Sequence, residues 1–207
     1  MKKILILATV LLSAPVMAKP ISYVGGTMAM QENDETGHTL SLDYTVSPNY
    51  AVGLYAKKES GDMDFLTVGP QLNTLVKRWN LPGAQGNIFN MTGAGVSVLD
   101  GDTEPSAWTG FLADYETRRI FVSYEPRLMY ARNIETSFWQ RGRVGVAPYE
   151  ANYNDLHTWL MLQVDHHPAK EDLWVVTPLV RFFYGTTLVE AGYSSNDKLM
   201  FNWVLQF

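Results

Sequence analysis

The chain closes on Leu199-Met200-Phe201-Asn202-Trp203-Val204-Leu205-Gln206-Phe207. Leu199, Phe201, Trp203, Leu205 and Phe207 recur at every second place, while Met200, Asn202 and Gln206 fall between them. A β-strand sends successive side chains to opposite faces. One face of this segment is therefore continuously apolar and the other mixed, as expected where a sheet separates lipid from a wetter interior.

The same rhythm runs back through the chain. Alternating runs occupy about residues 21–30, 38–46, 50–58, 64–78, 87–98, 107–116, 119–131, 138–147, 156–166, 173–184, 187–193 and 198–207, with turn-forming clusters between them and no helical period. The clearest is His38 to Val46, where Leu40, Leu42, Tyr44 and Val46 alternate with Thr39, Ser41, Asp43 and Thr45. A terminal strand of this kind resembles the last strand of bacterial outer-membrane β-barrels, in which a final aromatic preceded by alternating apolar residues is read by the barrel-assembly machinery. On that resemblance Phe201, Trp203, Leu205 and Phe207 are the assembly signal, and the machinery and the lipid and lipopolysaccharide of the outer membrane are partners.

The amino terminus fits such a destination. Lys2 and Lys3 precede an uncharged apolar run from Ile4 to Val16, and Val16-Met17-Ala18 offers the residues a signal peptidase inspects. The run is shorter than the ~20 residues of a spanning helix. Cleavage is predicted after Ala18, so that 1–18 is a signal peptide and 19–207 a single barrel domain of 189 residues. No later apolar stretch is long enough to span as a helix, so membrane residence must come through strands. The mature part would carry 14 basic against 21 acidic residues, a formal charge of −7 that disfavours nucleic acid as a partner. With no cysteine, the exported chain has to be held by hydrogen bonding, which a closed barrel supplies by pairing every strand.

The expected fold is therefore all-β, a closed antiparallel transmembrane barrel of about 12 strands, with 10 or 8 as alternatives and both termini periplasmic. Twelve strands over 189 residues leave ~16 residues for each strand and its connection, against the ~9–11 needed to cross lipid. The connections then sort into two sets. Ser47-Pro48-Asn49, Asn80–Gly86, Glu116–Arg119, Pro148–Asp155 and Gly185-Thr186 are inner turns. Gln31–Gly37, Glu59–Met63, Asp100–Ser106, Asn133–Ser137, His167–Asp172 and Ser194–Asp197 are outer loops, and they hold twelve of the 21 acids, including Glu35, Asp62 and Glu171, with Lys170 as their only base. Such loops would draw cations to the mouth, bridge through divalent cations to lipopolysaccharide phosphates, or simply be solvated. Tyr50, Trp79, Tyr115, Tyr184 and Trp203 at inner strand ends, with Trp174 at an outer one, suit interfacial girdles.

Opposite the lipid phase, the lumen phase holds Asp43, Gln71, Asn73, Lys77, Asp114, Glu125, Arg127, Arg141, Arg143, Gln163, Asp165, Arg181 and Glu190. Two readings of this set stand together. It lines a narrow porin-like passage for small hydrophilic solutes or ions, or it is a salt-bridge network filling a closed structural or interaction barrel. Trp108, Trp139 and Trp159 fall in the same phase, so those strands are misphased or the rings obstruct the interior. Asp165 and His167 are the best metal candidates but lack a third ligand nearby, since His157 lies ten residues, or ~33 Å, along the strand. No cofactor is implied. Barrel lipases and deacylases resemble this fold class, yet His157 is followed by Thr158-Trp159 rather than by their His-x-Ser, and no Gly-x-Ser-x-Gly is present. The chain is read as a non-enzyme. The polar run Tyr153-Asn154-Asp155-Leu156-His157-Thr158-Trp159 has no reading beyond turn capping.

Overall fold

Twelve strands form, β1 (Thr27–Asp34), β2 (Gly37–Ser47), β3 (Tyr50–Glu59), β4 (Leu66–Leu81), β5 (Ala84–Leu99), β6 (Asp102–Thr117), β7 (Ile120–Ala131), β8 (Glu135–Val146), β9 (His157–His166), β10 (Trp174–Tyr184), β11 (Thr187–Tyr193) and β12 (Leu199–Gln206). The computed structural model describes residues 19–34, 36–60, 63–152, 155–170 and 172–207. The expected signal peptide 1–18, together with Glu35, Asp62, Tyr153, Asn154 and Glu171, lies outside the described residues. Each strand pairs antiparallel with its chain neighbours, and β12 returns to β1 from Met28↔Gln206 to Gln31↔Trp203, closing the sheet. Closure leaves no unpaired edge, the condition for placing a sheet in lipid.

An even number of antiparallel strands puts the start of β1 and the end of β12 at one end of the barrel, here the terminal end. The opposite, loop end carries the connections that follow the odd-numbered strands. Leu40, Leu42, Tyr44 and Val46 of β2, Val52 and Leu54 of β3, Leu160 and Leu162 of β9, and Leu199, Phe201 and Leu205 of β12 are all exposed on the outer face. Tyr50, Trp79, Tyr115 and Tyr184 are exposed near the terminal ends of their strands, and Trp174 at the loop end. Trp203 is partly buried, its Nε1 donating to Gln31 Oε1 at 2.8 Å. An apolar outer belt bounded by aromatic residues is what a lipid solvent selects.

Several boundaries depart from the sequence reading, three of them by the widest margins. The first strand was expected over 21–30 but runs Thr27–Asp34. The chain turns at Tyr23–Gly26, with Gly25 at φ +84°, and Thr27 exchanges two backbone bonds with Phe207. Residues 19–22 consequently leave the wall. The outer loop expected at Asp100–Ser106 shrinks to Asp100-Gly101, both at positive φ, a two-residue hairpin turn of the kind Asp-Gly favours. Asp102 and Glu104 thus join β6. The inner turn expected at Asn80–Gly86 likewise contracts to Pro82-Gly83.

Candidate functional site

Inward-facing side chains of all twelve strands make the bore. The structure puts Asp43, Gln71, Asn73, Asp114, Arg141, Gln163, Asp165, Arg181 and Glu190 on the inner wall as buried residues, with Glu125, Arg127 and Arg143 beside them and partly buried. Lys77 is the exception. The β4–β5 register shifts between Leu75 and Lys77, so Val76 and Lys77 together oppose Ile88. This bulge turns Lys77 onto the outer face, where its ammonium lies 5.9 Å from the Trp79 ring, and brings Arg78 inward to donate to Asn87 Oδ1 at 2.6 Å.

The inner residues form three groups. In the first, Arg141 stands directly between Glu125 on β7 and Asp165 on β9. Its Nε donates to Asp165 Oδ1 at 2.7 Å and its Nη2 to Asp34 Oδ2 at 2.6 Å, with Glu32 3.6 Å from Nη1. Strands β8 and β1 are separated by four strands one way and six the other, so the Arg141–Asp34 pair crosses the bore. Trp139 lies in the same layer, its ring 5.2 Å from Arg141, 5.6 Å from Arg127 and 5.7 Å from Lys57. Lys57 is held by Glu59 at 2.6 Å, and Arg127 by Glu125 at 2.7 Å.

The second group is centred on Glu190, which accepts from Arg181 Nε at 2.6 Å and Asn202 Nδ2 at 2.9 Å and lies 3.4 Å from Arg143 Nη1. Arg143 Nε donates to Gln163, and Gln163 Nε2 to Asp165 Oδ2, which links this group to the first. The third is nearly uncharged: Trp108 Nε1 donates to Gln71, Gln71 to Asn73, and Asn73 to Asp43. Trp108 is buried in this arrangement because Gly93 has no side chain, since a Cβ there would fall 2.3 Å from the indole. Trp108 and Trp159 are buried and Trp139 is partly buried, all facing inward. Of the two readings left open for the three rings, the structure has them occupying the interior.

Both carboxylate oxygens of Asp165 are engaged by Arg141 and Gln163, and His167 lies against Trp139 with ring centroids 6.3 Å apart. Among the described residues no three His, Asp or Glu side chains are grouped as metal ligands. His157 packs on Phe183 at 6.0 Å and faces the Asn152 carbonyl.

Among the described residues, cavities follow one another along the bore, each sharing lining residues with the next. A vestibule of about 450 Å³ opens at the loop end between Ser60, Met63, His167, Lys170 and Asn196. It adjoins a cavity of about 20 Å³ through Thr36, Glu59 and His167. That one shares Lys57 and Trp139 with a cavity of about 10 Å³, the room of about one water. The last, of about 70 Å³, lies between Glu32, Arg127, Arg143, Arg181 and Glu190, with Lys19 and Pro20 also in its wall. Arg143 Nη2 has no partner among the described residues, although Arg143 helps wall this chamber.

Glu32 and Asp34 escaped the sequence reading because the first strand was set too early, which made them loop acids. Glu59 is likewise an expected loop acid that joins β3, while Lys57 and Glu116 carry a usable signal, Lys57 standing in the phase opposite Val52 and Leu54 and Glu116 sharing the phase of Asp114. Lys19 carried none, because a strand-by-strand reading has no place for a segment inside the wall.

No protein-family model matches the sequence, and no curated protein matches it. Among solved structures, the chain is similar to a KdgM porin in complex with disordered oligogalacturonate, at 12% identity over 88% of this chain and 98% of that one, TM-score 0.49. A second structure of KdgM porin gives 12% identity, the same coverage and a TM-score of 0.48.

Proposed function

We propose that the protein is a narrow porin-like channel for small hydrophilic solutes or ions in the outer membrane of a Gram-negative bacterium, delivered by cleavage after Ala18 and standing with its terminal end in the periplasm. The observation carrying this reading is the succession of cavities, each with charged side chains in its wall, from the loop-end vestibule to the inner chamber. A barrel built only as a rigid shell gains nothing from burying so many charges around unfilled space, because each buried ion costs desolvation that packed apolar residues avoid. The neck beside Trp139 and Arg141 limits the traffic to small solutes and ions. The outer belt meets lipid and lipopolysaccharide, and the β12 aromatics serve assembly.

The Arg141–Asp34 pair across the bore favours a second reading, a closed structural barrel. Planar-bilayer recordings in a salt gradient separate the two. Discrete conductance steps are expected. A cation-selective reversal potential assigns the filter to the acidic loop end, and an anion-selective one to Arg127, Arg141, Arg143 and Arg181. Silence from the folded protein and also from a variant without the inner segment 19–21 overturns the channel.

A further inference from the structure

Residues 19–22 belong to no strand, yet they are tied into the bore at every position. Lys19 Nζ pairs with Glu116 Oε1 at 2.5 Å and donates to Gln85 at 2.6 Å. The Pro20 carbonyl accepts from Asn73 at 3.3 Å, and the Ser22 N–H donates to Thr45 Oγ1 at 3.0 Å. Ile21 is only 6% exposed and packs with Ala51 and Phe89, against Leu75 and Leu112. The segment thus crosses from the wall at Tyr23 into the interior and supplies part of the chamber wall.

We propose that the terminal mouth of the bore is a binding site for the mature amino terminus, and that residues 19–22 seated there are a plug closing the inner chamber. The inference rests on the channel reading. Its ligand class is a primary ammonium followed by a small apolar wedge. Glu116 and Asp114 stand on one face of β6, and the second oxygen of each, Glu116 Oε2 and Asp114 Oδ2, is buried without a hydrogen-bond partner among the described residues. Buried carboxylate oxygens without donors are costly. Cleavage after Ala18 would leave an α-ammonium on Lys19, adding charge-assisted donors on the residue already paired with Glu116. The anchor is ionic and the wedge is one isoleucine, a contact weak enough to release without unfolding the wall.

The chain has no cysteine, so single labels report cleanly. Ile21→Cys and, as an exposed reference, Tyr23→Cys at 59% exposure are folded in detergent and treated with a bulky maleimide. Folding is checked by the shift in gel migration between unheated and boiled samples. Ile21→Cys is expected to react slower than Tyr23→Cys by roughly two orders of magnitude, the protection of a segment that opens rarely. Asp114→Asn with Glu116→Gln in the same background should remove most of that protection. In bilayers, the triple variant Lys19→Ser, Pro20→Gly, Ile21→Ser should raise the time-averaged conductance several-fold. Equal labelling of the two cysteines in the folded barrel overturns the plug whatever the conductance. Unchanged conductance in a triple variant, when the parent conducts, overturns its closing role. Protection of Ile21→Cys with silence from both parent and triple variant overturns the channel reading and the closing role with it, while leaving the seat itself in place.

Discussion

Arg141 shows how one residue ties the wall to itself. Its planar fork reaches Asp165 on the neighbouring strand and Asp34 across the bore at once, and its side chain is only 5% exposed. A lysine offers a point charge and cannot hold two carboxylates in fixed directions. Removing the guanidinium leaves buried carboxylates uncompensated, for which the expected cost is about 3–5 kcal/mol. Arg141→Met should therefore lower the urea midpoint of the refolded barrel sharply. Adding Asp34→Asn and Asp165→Asn to it should return much of the loss, because the uncompensated charges go with them. An Arg141→Met barrel as stable as the parent would show that water already solvates this layer.

At the scale of the element, facing is decided by alternation, and departures from alternation are decided by bulges. Reading phases from the sequence placed Arg141, Arg143, Gln163 and Asp165 on one face because β8 and β9 run without interruption. Lys77 is misplaced because a bulge adds a residue to one strand, and its only trace in the sequence is the apolar doublet Leu75-Val76, which interrupts the alternation for a single step. Glu32 and Asp34 are misplaced because Ile21 to Met30 alternates adequately, and only Gly25 and Gly26 betray the turn that sends 19–22 inward. Interior pairs such as Arg141–Asp34 join residues far apart in sequence, and strand phase alone cannot say which inner residues meet across a bore. The bulge makes a deletion test. Without Val76, Leu75 still faces in, Lys77 out and Arg78 in, so this variant should fold with the yield of the parent. Deleting Leu162 from the unbulged β9 instead turns one side of the strand over, exposing Gln163 and Asp165 to lipid, and should abolish the heat-shiftable folded band. Equal yields from the two deletions would mean that register in this barrel is set by something other than facing.

For the whole molecule, strand pairing is uneven, and that unevenness says where the barrel opens. The β5–β6 ladder runs without a break from Ala84↔Thr117 to Leu99↔Asp102, whereas β1 and β12 are matched only from Met28↔Gln206 to Gln31↔Trp203, extended at the terminal end by Thr27 and Phe207. Past Gln31 the seam continues through side chains, with the Asn33 N–H donating to Asn202 Oδ1 at 2.9 Å and Asn33 Nδ2 to the Phe201 carbonyl at 2.7 Å. Asn202 also holds Glu190, so the seam is coupled to the inner charge network. Local opening follows the segments with the fewest cooperative bonds. Amides of β1 and β12 should therefore exchange with deuterium before those of β5 and β6 in the refolded barrel, and Asn33→Ala should speed exchange at the loop-end half of β12 while leaving β5–β6 unchanged. Exchange that begins in β5–β6 would mean that the short seam is held by more than its visible ladder. The seam is also the last pairing a chain can make, since its strands are the first and last of the sequence.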